Sequence, residues 1–195
     1  MNREHYEEQT GRQSPASDRF LQEFNQVCLW LRISFISLIH TQGLKDPQVA
    51  YLVIHNKNIT AQTLLEIMEA LVDYLIEQDK TGLEIFRQTR DRFRKLLAIR
   101  NTLVHENQFT GRENEPAAGL SEMRGNTIQM NGAEHPVRHF PKSERELLAV
   151  AEECKQVNIL FSRFFSCIAS RFEPTRNFTK DENGMWRPRL LQTAQ

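Results

Sequence analysis

The sequence predicts an all-α chain: a four-to-five-helix bundle with a β-hairpin-containing insertion before the last long helix. Three observations carry this. Four long stretches repeat apolar residues at three- and four-residue spacing, the period of a helix with one buried face. Polar capping residues and glycines bound those stretches. Between the third and fourth of them, residues 108–142 lose the helical period and become rich in Gly, Pro, Asn and Glu.

The elements follow in order. Residues 1–17 read as a flexible N-terminal segment, polar and without an apolar run. Asp18 reads as an N-cap, and Phe20, Phe24, Val27, Cys28, Leu31, Phe35 and Leu38 form the apolar face of a long helix that Gly43 ends. Asp46-Pro47 starts a short helix through about Ile54, with proline in the first-turn position it tolerates. From Thr60 a wide apolar stripe, Leu64 to Ile76, predicts a deeply packed helix. Asp79 to Gly82 reads as a turn, with a capping box at Thr81 and Glu84 opening a helix over about 83–106. Asn131-Gly132 is the pair preferred where both turn residues need positive φ, so 127–139 reads as a β-hairpin. Ser143 and Glu146 make a second capping box before a final Phe-rich helix, which Pro174 stops. The helical domain thus spans 18–173, and 174–195 is a C-terminal tail whose Phe178 and Trp186 could lie back on the bundle or dock on a partner.

Composition narrows the function. In 195 residues, 39% are hydrophobic and 26% charged, an ordinary globular balance. Lys plus Arg equals Asp plus Glu at 25 each, so no global field draws the chain to nucleic acid or an acidic membrane, and any polyanion site must be local. Cys28, Cys154 and Cys167 each sit in an apolar helical run and read as buried free thiols rather than a disulfide or zinc framework. The apolar stretch from Val27 to Ile39 is broken by Arg32 and is too short to span a bilayer. The expected setting is the cytoplasm, with no membrane partner. Trp30 reads as core.

One segment stands out: Arg100-Asn101-Thr102-Leu103-Val104-His105. At about 100° per residue, Phe86, Phe93, Leu96, Leu97, Leu103 and Val104 share one core-facing sector. Arg100 lies near its middle, where an unpaired charge is costly, so it must find a partner, water or a cleft at the end of the apolar seam. Asn101 and His105 share a face at the edge of the stripe. Arg87, Arg90 and Arg94 project on about that side, forming a basic ridge that could hold an RNA backbone. Solvated surface arginines and a structural histidine would give the same pattern. The four-residue pairs Glu84–Gln88 and Asp91–Lys95 could be ordinary helix-surface contacts.

Arg100-Asn101-x-x-x-His105, late on a helix of an all-α chain, resembles the motif of the HEPN superfamily (higher eukaryotes and prokaryotes nucleotide-binding domain). The resemblance covers roughly Asp18 to Phe172. It implies a HEPN-like bundle and a metal-independent RNA endonuclease, often a toxin or a defence or stress effector, needing no cofactor. It implies a homodimer whose motifs meet in a composite active site, RNA as substrate, and an antitoxin or regulatory protein as a further partner. Arg100, Asn101 and His105 would be the catalytic residues. Asn107 stands where toxins of one branch carry a tyrosine that the antitoxin modifies, which puts that form of neutralisation in doubt. Some branches are non-catalytic modules that bind nucleotide, RNA or protein, and this is the alternative reading. His135 and His139 are a weak metal motif without a third ligand, and no Gly-rich phosphate loop is present.

Overall fold

The computed structural model describes residues 15–105 and 143–189. Of these, 77% are helical. The order is α1 (Pro15–Thr41), α2 (Pro47–Ile54), α3 (Ala61–Leu75), α4 (Lys80–His105), α5 (Glu144–Ala169) and α6 (Pro174–Asn177), then strands β1 (Phe178–Lys180) and β2 (Trp186–Pro188). The expected hairpin at 127–139, with His135 and His139, lies outside the described residues.

The helical stripes pack as their spacing requires. Phe20, Phe24, Val27, Leu31 and Leu38 of α1 are buried, as are Leu64, Leu65, Met68 and Val72 of α3. They meet Phe86, Phe93 and Leu96 of α4 and Phe161, Phe164 and Phe165 of α5. Aromatic rings fill the centre. Phe24 stacks on Phe93 at 5.3 Å, and Phe86 touches all three α5 phenylalanines at 5.7–6.2 Å. Such pairs add about 0.5–1.5 kcal/mol each beyond the area they bury. The most extensive contact is between α1 and α5.

Local chemistry sets the ends. α1 stops in a Schellman turn, with Leu44 N–H donating to Ile39 O at 3.3 Å and Gly43 N–H to His40 O at 3.0 Å. Gly43 takes φ 103°, a left-handed backbone that only glycine adopts without strain. Asp46 caps α2 by accepting from Gln48 N–H at 2.9 Å, Thr60 caps α3, and Ser143 with Glu146 forms the reciprocal capping box of α5.

Several boundaries depart from expectation. α1 already includes Pro15, Ala16 and Ser17, the last two buried, so Asp18 sits in the first turn rather than at the cap. α4 opens on Asp79, whose Oδ1 accepts from Gly82 N–H at 2.8 Å, and Thr81 lies inside the helix. α5 ends at Ala169, well before Pro174. Its terminal turn is a second Schellman pattern, with Phe172 N–H donating to Cys167 O at 2.8 Å, and Arg171 takes φ 58° there. Pro174 instead opens α6. Trp30, expected in the core, is 38% exposed on the outer face of α1 beside Leu29 and Ile33.

The C-terminal stretch lies back on the bundle. β1 and β2 pair antiparallel, Thr179 opposite Arg187, around a turn in which Gly184 has φ 73°. Phe178 is buried in the core and Trp186 packs against it. Gln88 of α4 holds both sides of the turn: its amide donates to Gly184 O at 3.3 Å and its carbonyl accepts from Trp186 N–H at 2.6 Å. Asp181 accepts from Asn183 and Met185 N–H and from Arg187 Nε; the Arg187 bond contributes most to holding its carboxyl below the usual range.

Candidate functional site

The Arg100–His105 segment forms the last turns of α4. Phe93, Leu96, Leu97 and Leu103 are buried, so the core-facing sector is placed as its angles require up to this point. Val104 departs from it and is 46% exposed. Arg100, in the middle of that sector, is half-buried, and Asn101 is exposed. The Arg100 guanidinium donates to Asn101 Oδ1 at 3.2 Å. His105 is the final residue of the helix.

The arginines of α4 divide into two groups. Arg87 pairs with Asp73 at 3.8 Å. Arg90 pairs with Glu69 and, at 2.9 Å, with Asp91, and Arg94 pairs with Glu69 at 3.0 Å. Burial disfavours the charge of Arg90, but its hydrogen bonds to Asp91 and Glu69 outweigh that and stabilise it. Arg92, on the other flank, grips Glu153 of α5. Among the described residues, no carboxylate lies within 4.0 Å of Arg100.

The expected basic ridge of Arg87, Arg90 and Arg94 therefore faces an acidic row on α3 and is locally neutralised. Three cations meet three carboxylates, Glu69, Asp73 and Asp91. Helical angles group the three arginines on one side of α4 but say nothing about the neighbour opposite. The signal was nonetheless present, because Glu69 and Asp73 are four apart on the flank of the α3 stripe.

Arg32 is a residue whose importance sequence reasoning missed, seeing only an interruption of an apolar run. Its guanidinium reaches from α1 to two main-chain carbonyls, Ile54 O and, at 3.1 Å, Ile59 O. It thereby closes the corner between α2 and α3. Cys28, one turn before it, is half-buried, and burial pushes its thiol up to about 11, against the opposing pull of Arg32 and Arg100. Burial likewise raises the Cys154 thiol to about 12. Among the described residues, no cluster of His, Cys, Asp or Glu could hold a metal ion, and no helix is long and apolar enough to cross a membrane.

No protein-family model matches this chain, and no curated protein or solved structure matches it.

Proposed function

We propose that the chain is a HEPN-like, metal-independent RNA endonuclease that acts as a homodimer, with Arg100, Asn101 and His105 as its catalytic residues. The observation that carries this reading is the state of Arg100. It is half-buried on the core-facing side of α4, and among the described residues it lacks the carboxylate that each of Arg87, Arg90, Arg92 and Arg94 has. A charge left in that position is poised for an anion supplied from outside.

The chemistry suits these residue types. The 2′-oxygen of a ribose attacks the adjacent phosphorus while the bond to the 5′-oxygen breaks. The His105 imidazole takes the 2′-hydroxyl proton, and the imidazolium so formed returns a proton to the leaving 5′-oxygen. The planar fork of Arg100 matches the phosphate oxygens as negative charge builds on them. The products are a 2′,3′-cyclic phosphate and a 5′-hydroxyl. Arg100 and His105 lie about 140° apart around one helix, so a second copy of α4 supplies the complementary residue to each site. Because Arg87, Arg90 and Arg94 are already paired, they guide the RNA backbone only where a phosphate displaces Glu69, Asp73 or Asp91.

The test is cleavage of single-stranded RNA in EDTA. Wild type should cut and leave 2′,3′-cyclic ends, while His105→Ala should be inactive with an unchanged melting temperature. Cleavage persisting in that variant, or RNA binding by wild type without any cutting, overturns the nuclease reading. The second outcome would leave a non-catalytic RNA-binding module.

A further inference from the structure

Arg32 and Arg100 come from different helices but converge on one corner of the bundle. The register of α3 against α4 is antiparallel: Asp73 meets Arg87, and Glu69 meets Arg90 and Arg94. Continued from Arg94 to Arg100, it sets Arg100 beside Thr60 and Ala61, at the start of α3. The preceding residue is Ile59, whose carbonyl Arg32 holds. Cys28 gives an independent bearing. Arg32 lies one helical turn from it on α1, and both guanidinium groups are near enough to favour the charged form of its thiol.

Arg32 gives hydrogen bonds to two carbonyls and Arg100 to the Asn101 side-chain oxygen, and among the described residues neither has a carboxylate within 4.0 Å. Two half-buried positive charges at one corner repel each other, and the repulsion is relieved by an anion between them. Arg32 is also held in place before any ligand arrives, because its two carbonyl bonds fix the guanidinium plane while further N–H groups remain to donate.

We infer that Arg32 and Arg100 together form a phosphate-binding fork, with Arg32 gripping a phosphodiester of the bound RNA strand next to the one that Arg100 addresses. The identity of the anion rests on the RNA-cleaving reading above. The fork itself does not, since free pyrophosphate would satisfy the same two cations. Arg32 is a positioning residue: it fixes the strand and takes no part in bond making.

The experiment measures binding of inorganic pyrophosphate by calorimetry, and of a short labelled single-stranded DNA by fluorescence anisotropy. The DNA lacks the 2′-hydroxyl, so it cannot be cut. Arg32→Gln and Arg100→Gln should each weaken both ligands about tenfold, the loss of one charge-assisted contact. The double variant should be only slightly weaker than either single one, because the two residues share one ligand. Arg32→Lys keeps the charge but loses the planar fork, and supplies the result if Arg32→Gln fails to fold; it should bind pyrophosphate about threefold more weakly than wild type. In RNA cleavage, Arg32→Gln should raise KM and leave kcat near wild type.

Pyrophosphate and DNA binding that is absent in wild type, or unchanged in the folded Arg32 variant, overturns the fork. Binding of pyrophosphate alone assigns it to free phosphates and overturns the placement of the RNA strand. A fork that binds while RNA is never cut removes the nuclease reading and leaves this inference standing. RNA cutting with an unchanged KM in Arg32→Gln does the reverse.

Discussion

Arg92 holds Glu153 through two hydrogen bonds at once, Nε to Oε1 at 2.6 Å and NH2 to Oε2 at 2.9 Å, and so ties α4 to α5. The Arg92 side chain is only 13% exposed, whereas Glu153 keeps 39% of its surface in water. Removing the acid strands a cation that has little access to solvent. Glu153→Ala should therefore destabilise the fold by about 1–2 kcal/mol, below the cost for a fully buried pair because water still reaches this one. Urea unfolding checks it, and Arg92→Ala should add little further loss in the Glu153→Ala background.

Glu69 is the hub of the neutralised ridge, taking hydrogen bonds from both Arg90 and Arg94. Glu69→Gln should loosen both arginines, leaving Asp91 as their remaining acid. RNA affinity should rise, and the slope of log affinity against log salt should steepen by about 1 for each phosphate newly engaged. Anisotropy titrations over a salt series measure both. An unchanged slope would show that the ridge does not meet RNA even when freed.

Much of the scaffold could be read from the residues. The stripes on α1, α3, α4 and α5 are long enough for the helical period to dominate, and caps such as Asp46, Thr60 and Ser143 satisfy exposed N–H groups from their own neighbourhood. What escaped depends on contacts distant in sequence. Gln88 clasps a hairpin turn nearly a hundred residues away, and Trp30 faces outward because no helix covers that side of α1 among the described residues. At the site, the position of Arg100 in the apolar sector followed from its angle. The carbonyl partners of Arg32 and the acidic row facing Arg87, Arg90 and Arg94 required the packing of α3, which periodicity alone does not orient.

Arg171 ends α5 with φ 58°, a left-handed backbone that crowds the β-carbon of an L-residue. Arg171→Gly should stabilise the protein by about 0.5–1 kcal/mol, relief of that strain less the greater freedom glycine gains on unfolding. Thermal melting should show a higher midpoint.

The cysteines set the alkaline limb of stability. The folded state holds Cys28 and Cys154 protonated up to about 11 and about 12, above the ordinary thiol value of 9.0. Between those limits the folded state binds more protons than the unfolded one, so stability is fully present below pH 9.0 and falls as pH rises through the raised values. At neutral pH both thiols should react slowly with iodoacetamide in the native protein and rapidly in denaturant. Asp181 works in the opposite sense, because its lowered value adds stability that is lost on acidification.

In the proposed dimer, Arg100 of one chain and His105 of the other act on the same phosphate. The most direct measurement is RNA cleavage in EDTA by Arg100→Ala and His105→Ala, each alone and after the two variants are refolded together. Each alone should be inactive, and the mixture should recover about a quarter of wild-type activity, since half the dimers are mixed and each of those holds one intact site. A mixture as inactive as its components, although mixed dimers form, would contradict the account.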